Sequence, residues 1–127
     1  MITMKKIFTL LFVLCISYSL QAQLWIDQRA DELFASGDYS YALNLYKKIK
    51  SKKQKDKVNT QIGRCYMALK DYAKAEEFLS KVEKTEKSAY EYGLRDLGIA
   101  LLYQGKYEEA ETAFRRFQET GFNDPLM

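Results

Sequence analysis

The residues able to do chemistry are few, and each lacks a necessary companion. The chain contains no histidine and two cysteines, Cys15 and Cys65. A thiol nucleophile needs a base to take its proton, so Cys65 reads as a small buried residue rather than a catalytic one. "GLRDLG", residues 93–98, has the glycine spacing of a phosphate-binding loop. Ile99 and Ala100 follow where lysine and a hydroxyl residue are required, so it reads as a helix with a packing glycine. The glutamates at 76–77 and within 108–111 fall beside Lys74, Lys81 and Arg115 at helical spacing. Ion pairing on a wet helix face is the expected outcome. No calcium-loop spacing occurs. These residues point to no catalytic group, no metal site and no cofactor, and hence to a protein that is not an enzyme.

One charge run stands out. "KKIKSKKQKDK", residues 47–57, carries seven lysines and one aspartate. Such a run can meet nucleic acid, anionic lipid or envelope glycan. No aromatic side chains interleave it, which speaks against nucleic acid. The expected role is a solvated connector, with lipid or glycan contact as the minor alternative.

The N-terminus sets the compartment expected for these residues. "MITMKK" is a basic opening, "IFTLLFVLCI" an apolar run, and "SYSLQAQ" ends in small and polar residues. That layout predicts a secretory signal peptide over residues 1–22, cleaved after Ala22, with the mature chain beginning at Gln23. The ten-residue apolar run is about half of what a membrane span needs. Periplasm or cell envelope is the expected location. Removing Lys5 and Lys6 with the leader leaves 18 basic against 17 acidic residues, a net charge of +1 instead of +3. Cys65 is then alone, so the fold must hold by burial and not by a disulfide.

The elements that position everything else are announced by repetition. "SGDYSYALNLY", "LKDYAKAEEFL" and "QGKYEEAETAF" align Tyr39, Tyr72 and Tyr107, with Ala42, Ala75 and Ala110 three residues on. Tyr46, Leu79 and Phe114 lie four beyond those, and Ala30, Gly63 and Gly98 precede each tyrosine by nine. The alanines recur at intervals of 33 and 35 residues, a period that marks a solenoid. Within the third unit, Leu94, Leu97, Gly98 and Leu101 keep helical spacing, and Tyr107, Ala110, Phe114 and Phe117 do so again. Gly37 and Gly105 can take the left-handed conformation that ends a helix, whereas "LKD" at 69–71 lacks the glycine. Each unit is predicted to be two helices and a tight turn. The small residue of the first helix is expected to face the alanine of the second, with the tyrosine closing one end.

In these residues the chain resembles the tetratricopeptide repeat (TPR) proteins over residues 23–122. The resemblance implies an all-α solenoid of three tandem helix-turn-helix repeats, at about 23–55, 56–90 and 91–122, with a tail at 123–127. It departs from the family pattern at Arg29 and Asn59, at Ile49, Val82 and Phe117, and in having no proline between repeats. It further implies a partner groove lined by first helices. By register the groove presents Leu24, Asp27, Asp31 and Phe34, then Lys57, Thr60, Arg64 and Met67, then Tyr92, Arg95, Ile99 and Leu102. Asp27 and Asp31 occupy positions where chaperone-binding members carry residues that clamp a carboxylate, so that specificity is not implied. Arg64 and Arg95 are expected to suit an acidic partner. The implied function is an exported scaffold that binds a peptide or partner protein.

After Phe117 only "QETGFNDPLM" remains, too short for a solvating helix over the last hydrophobic face. Phe114, Phe117 and Phe122 are therefore expected to be partly exposed. Self-association through that face, continuation of the chain into another helix, or a folded-back tail would each cover it. A leader followed by a few such repeats is also similar to the start of OmpA-like, peptidoglycan-associated outer-membrane proteins, some serving secretion machinery.

Overall fold

Six helices and their connecting turns make up the described residues, 3–84 and 87–121, of the computed structural model. They are α1 (Met4–Ser36), α2 (Tyr39–Tyr46), α3 (Lys55–Ala68), α4 (Tyr72–Leu79), α5 (Lys87–Tyr103) and α6 (Tyr107–Glu119). α1 packs on α2, α3 on α4 and α5 on α6, and each hairpin then leans on the next through α2–α3, α4–α5 and α3–α5. The protein is an all-α solenoid of helix-turn-helix repeats. α5 begins at Lys87, so the third hairpin takes residues that the period assigned to the second unit. Phe122 and the tail at 123–127 lie outside the described residues.

The three turns are built alike. Asp38, Asp71 and Lys106 donate backbone N–H bonds to the carbonyls of Leu33, Tyr66 and Leu101, at 2.9, 2.9 and 3.0 Å. This geometry needs one left-handed residue just before the bond donor. Gly37 (φ 88°) and Gly105 (φ 76°) supply it. The second turn, without a glycine, forms the same way by driving Lys70 to φ 62°.

The repeated small residues are buried in each hairpin: Ala30, Ala42 and Ala75 are fully enclosed, and Ala110 nearly so. The nearest neighbours of the two repeat glycines, Gly63 and Gly98, are large side chains. A Cβ built on Gly63 would sit 2.5 Å from Leu79, and one on Gly98 would sit 2.6 Å from Phe114. The glycine therefore makes room for the large side chain four residues past the alanine.

The tyrosines also act differently from expectation. Tyr39 meets Phe34 of its own hairpin edge-on at 5.3 Å, but Tyr72 reaches forward and stacks on Tyr103 of the next hairpin at 4.7 Å. Tyr107 has no following hairpin among the described residues, and it is 68% exposed. It is not a packing residue here. Phe117 departs in the opposite sense. Expected at an open face, it is 3% exposed, clustered with Tyr90, Leu94 and Val82. Phe114 is half-buried because Gly98 receives it. Burial is possible because α6 runs to Glu119, whereas α2 and α4 end after eight residues, leaving Ile49 and Val82 in the turns that follow.

α1 behaves as two segments in one unbroken helix. Residues from Ile26 onward join the core, while every residue from Met4 to Trp25 is exposed. This first part includes an 18-residue window long and apolar enough to cross a membrane, by length and composition, and none of it is buried. That window is longer than the ten-residue run read from the sequence.

Candidate partner groove

The first helices α1, α3 and α5 bring their expected groove residues into two polar clusters joined by apolar side chains. In the first, Lys57 Nζ lies 3.4 Å from Asp27 Oδ1 and 3.5 Å from Asp31 Oδ2, bridging α3 to α1. Gln54 donates to Asp27 at 3.3 Å. Tyr46 donates its hydroxyl to Asp31 and accepts from Gln61 at 3.1 Å. Burial and the hydrogen bond to Asp31 hold the Tyr46 phenol protonated well above the usual tyrosine range. Burial by itself would lower Lys57, but Asp31 and Asp27 overcome it and raise its pKa. Asp27 and Asp31 are thus committed to holding the first hairpin on the second.

The second cluster centres on Arg64. Its guanidinium lies over the Phe34 ring at 5.0 Å, and its Nε is 3.6 Å from Asp96 Oδ2, so one side chain links α1, α3 and α5. Arg95 reaches Asp96 Oδ1 at 2.8 Å through its terminal nitrogen and lies 5.1 Å over the Tyr92 ring. Asp96 is only 4% exposed. Both arginines expected to await an acidic partner share this buried carboxylate. The register that placed Arg64 and Arg95 on the groove did not reveal Asp96, one residue along α5, because its reach depends on how far successive hairpins are rotated.

The remaining expected residues divide by exposure. Tyr92 and Leu102 are exposed, Leu24 is exposed far down α1, and Phe34, Met67 and Ile99 are half-buried. Thr60 departs from the groove reading: it is buried between α3 and α5, donating to the carbonyls of Asp56 at 2.8 Å and Ala89 at 3.3 Å. The surface left for a ligand is therefore an aromatic and aliphatic strip. It runs from Phe34 and Met67 to Tyr92, Ile99 and Leu102, with Arg64 and Arg95 sharing the Asp96 carboxylate across its middle.

Behind the groove, Cys65 is fully buried, and burial raises its thiol to about 11 against a weaker opposing pull from Arg64. A protonated, enclosed thiol is neither a nucleophile nor a metal ligand. Glu77 pairs with Lys81 at 3.6 Å and Glu111 with Arg115 at 3.0 Å, as the helical spacing implied. Glu76 instead bridges hairpins. It accepts from Lys106 Nζ at 2.9 Å and from Gln104 at 2.9 Å, and Gln104 also donates to the Tyr72 carbonyl at 3.2 Å. Burial would raise the Glu76 carboxyl, but hydrogen bonds from Lys106 and Gln104 bring it below its ordinary value. Among the described residues there is no cluster of side chains suited to hold a metal ion.

Two family models, both described as tetratricopeptide repeat, match the chain, one over residues 33–95 and the other over 93–120. No curated protein and no solved structure matches.

Proposed function

We propose, on the premise that this chain belongs to the tetratricopeptide-repeat proteins through residues 33–120, that it is an exported scaffold holding a peptide or partner protein in the groove of α1, α3 and α5. Such repeats generally mediate protein–protein interaction and are generally non-catalytic. The observation that carries the reading is the exposed pair Tyr92 and Leu102 on α5 with half-buried Ile99, linked to Phe34 of α1 through Arg95, Asp96 and Arg64. Aromatic side chains beside a polar rim are the usual anchors of an interface. The single carboxylate of Asp96 offsets one of the two positive charges of Arg64 and Arg95, so the strip favours a ligand that is mainly apolar or aromatic. An acidic group would have to compete with Asp96. The exposed basic and apolar N-terminus of α1 supports export, with periplasm or cell envelope as destination.

Crosslinkers placed at Tyr92 and at Leu102 test the groove, with Glu108 and Thr112 on the outer face of α6 as controls. Adducts with one and the same protein from envelope fractions at the first two sites, and not at the controls, are expected. Equal capture at all four sites would overturn the groove. Mass spectrometry of the N-terminus from the same fractions is expected to show a chain starting at Gln23.

A second reading makes these hairpins the N-terminal module of an OmpA-like, peptidoglycan-associated envelope protein. In its favour, Tyr107 and Glu111 stand exposed at the positions where Tyr72 and Glu76 grip a following hairpin. The same end face would serve self-association. A β-propeller or glycan-binding domain encoded in frame beyond Met127 would decide for the module.

A further inference from the structure

The lysine-rich connector and the apolar helix are far apart in sequence but adjacent in the structure. Leu20, Gln23, Leu24 and Asp27 of α1 line one cleft of about 330 Å³ with Lys50, Ser51 and Gln54. Gln54 and Lys57 tie the connector to Asp27 at 3.3 and 3.4 Å, so its place beside α1 is fixed. The cations there are largely uncommitted. Lys57 is paired with Asp27 and Asp31, Lys55 lies 4.0 Å from Glu83, and Lys47 sits over the Tyr66 ring. Lys48, Lys50, Lys52 and Lys53 are exposed and form no ion pair with the described residues. Asp56 is buried and accepts from the Glu83 backbone N–H, so it does not offset them at the surface.

α1 supplies the matching apolar part. Trp25, the single tryptophan, is 63% exposed at the point where the helix leaves the hairpins. From Lys6 to Trp25 the helix rises about 29 Å at 1.5 Å per residue, close to the roughly 30 Å hydrocarbon core of a bilayer. Tryptophan favours the headgroup level, and lysines beside it meet anionic lipid there. We propose that this end of the molecule docks on an anionic bilayer. Before cleavage at Ala22 the N-terminal part of α1 enters the lipid, Trp25 sits at the interface, and Lys50, Lys52 and Lys53 face the headgroups. After cleavage at Ala22 the same lysines with Leu24 and Trp25 keep a weaker peripheral contact. The proposal goes beyond the groove reading and does not depend on it.

The test is partition of the full chain into phosphatidylcholine vesicles with and without phosphatidylglycerol, read by sedimentation and Trp25 emission. The expected result is a blue shift of Trp25 on both lipids and tighter partition on the anionic one. K50Q/K52Q/K53Q should weaken partition on anionic vesicles roughly 100-fold and leave the zwitterionic value unchanged. Partition insensitive to lipid charge, or to the triple substitution, would overturn the proposal, as would unmoved Trp25 emission. Loss of binding to purified peptidoglycan in the variant, with vesicle partition intact, would assign the lysines to glycan and also overturn it. Circular dichroism checks the fold of the variant. Should the triple variant lose helix content, K50Q, K52Q and K53Q measured singly must each weaken anionic partition about fivefold.

Discussion

At the scale of single residues, two positions show local rules bending to the repeat geometry. Lys70 holds a left-handed backbone that costs a residue with a side chain about 1–2 kcal/mol. Glycine would remove that strain and add some unfolded-state freedom. Lys70→Gly is therefore expected to raise stability by about 0.5–1 kcal/mol in urea unfolding, and a loss would show the turn to be relaxed already. Gly63 and Gly98 look equivalent in sequence but differ in surroundings. The methyl of Gly63→Ala would strike Leu79, which is buried and cannot retreat, at an expected cost of about 1–3 kcal/mol. Gly98→Ala would strike a half-buried Phe114 ring that can swing outward, so its cost should be the smaller of the two. Equal costs in denaturant titration would contradict this ordering. The sequence showed that small residues were needed at both places. It could not show which side chain fills the gap, because that depends on the rotation of one helix against the other.

Helix α3 is the element on which the others meet, touching α2, α4 and α5. Its spacing made it legible as a first helix, with Cys65 on the buried side. The contacts that join α3 to its neighbours were not legible. Asp96 and Tyr46 are polar residues at unremarkable helical positions, and their partners on α3, Arg64 and Gln61, lie 32 and 15 residues away. Only the stacking angle of successive hairpins brings them together, and no intra-helix pattern encodes that angle. Burial inside α3 has a consequence for pH. The Cys65 thiol ionises near its ordinary value of 9.0 when unfolded and is pushed up to about 11 by burial when folded. Its contribution is whole below pH 9 and is lost as pH rises through 11, since only the unfolded chain releases the proton in between. Stability is expected to fall by about 1–2 kcal/mol over that window from this group. Tyr46, raised by burial and by Asp31, adds to the fall above pH 10. Cys65→Ala, unfolded in urea at pH 8 and pH 10.5 under reducing conditions, should show a shallower decline than the parent. Identical slopes would mean that the thiol is not enclosed in solution.

The whole molecule is a stack whose two ends are unlike, and the difference bears on what it binds. At the start, an exposed apolar helix projects beyond the hairpins. At the finish, α6 turns a charged outer face to solvent and buries Phe117, so among the described residues the phenylalanine exposure expected there is reduced to part of Phe114, with Tyr107 exposed beside it. What persists is a second grip. Tyr72 and Glu76 hold the third hairpin through Tyr103, Gln104 and Lys106, and Tyr107 and Glu111 repeat that pair, Tyr107 exposed and Glu111 paired with Arg115, with no following hairpin among the described residues. In a stack bound by nearest-neighbour interfaces, the same residue type should matter only where a neighbour is present. Tyr72→Ala is thus expected to cost about 1–2 kcal/mol, the lost ring pair included, and Tyr107→Ala less than about 0.5 kcal/mol. Replacing the residues after Gly121 with a copy of residues 87–121 sets the copied Lys87 15 residues after Tyr107, as Lys87 follows Tyr72, and should raise the unfolding midpoint. In that longer chain Tyr107→Ala should become as costly as Tyr72→Ala. If Tyr107→Ala is already costly in the natural chain and the cost fades on dilution, a second copy occupies the grip. If it is costly at every concentration, the independence of the end face is wrong, and with it the nearest-neighbour account of this stack.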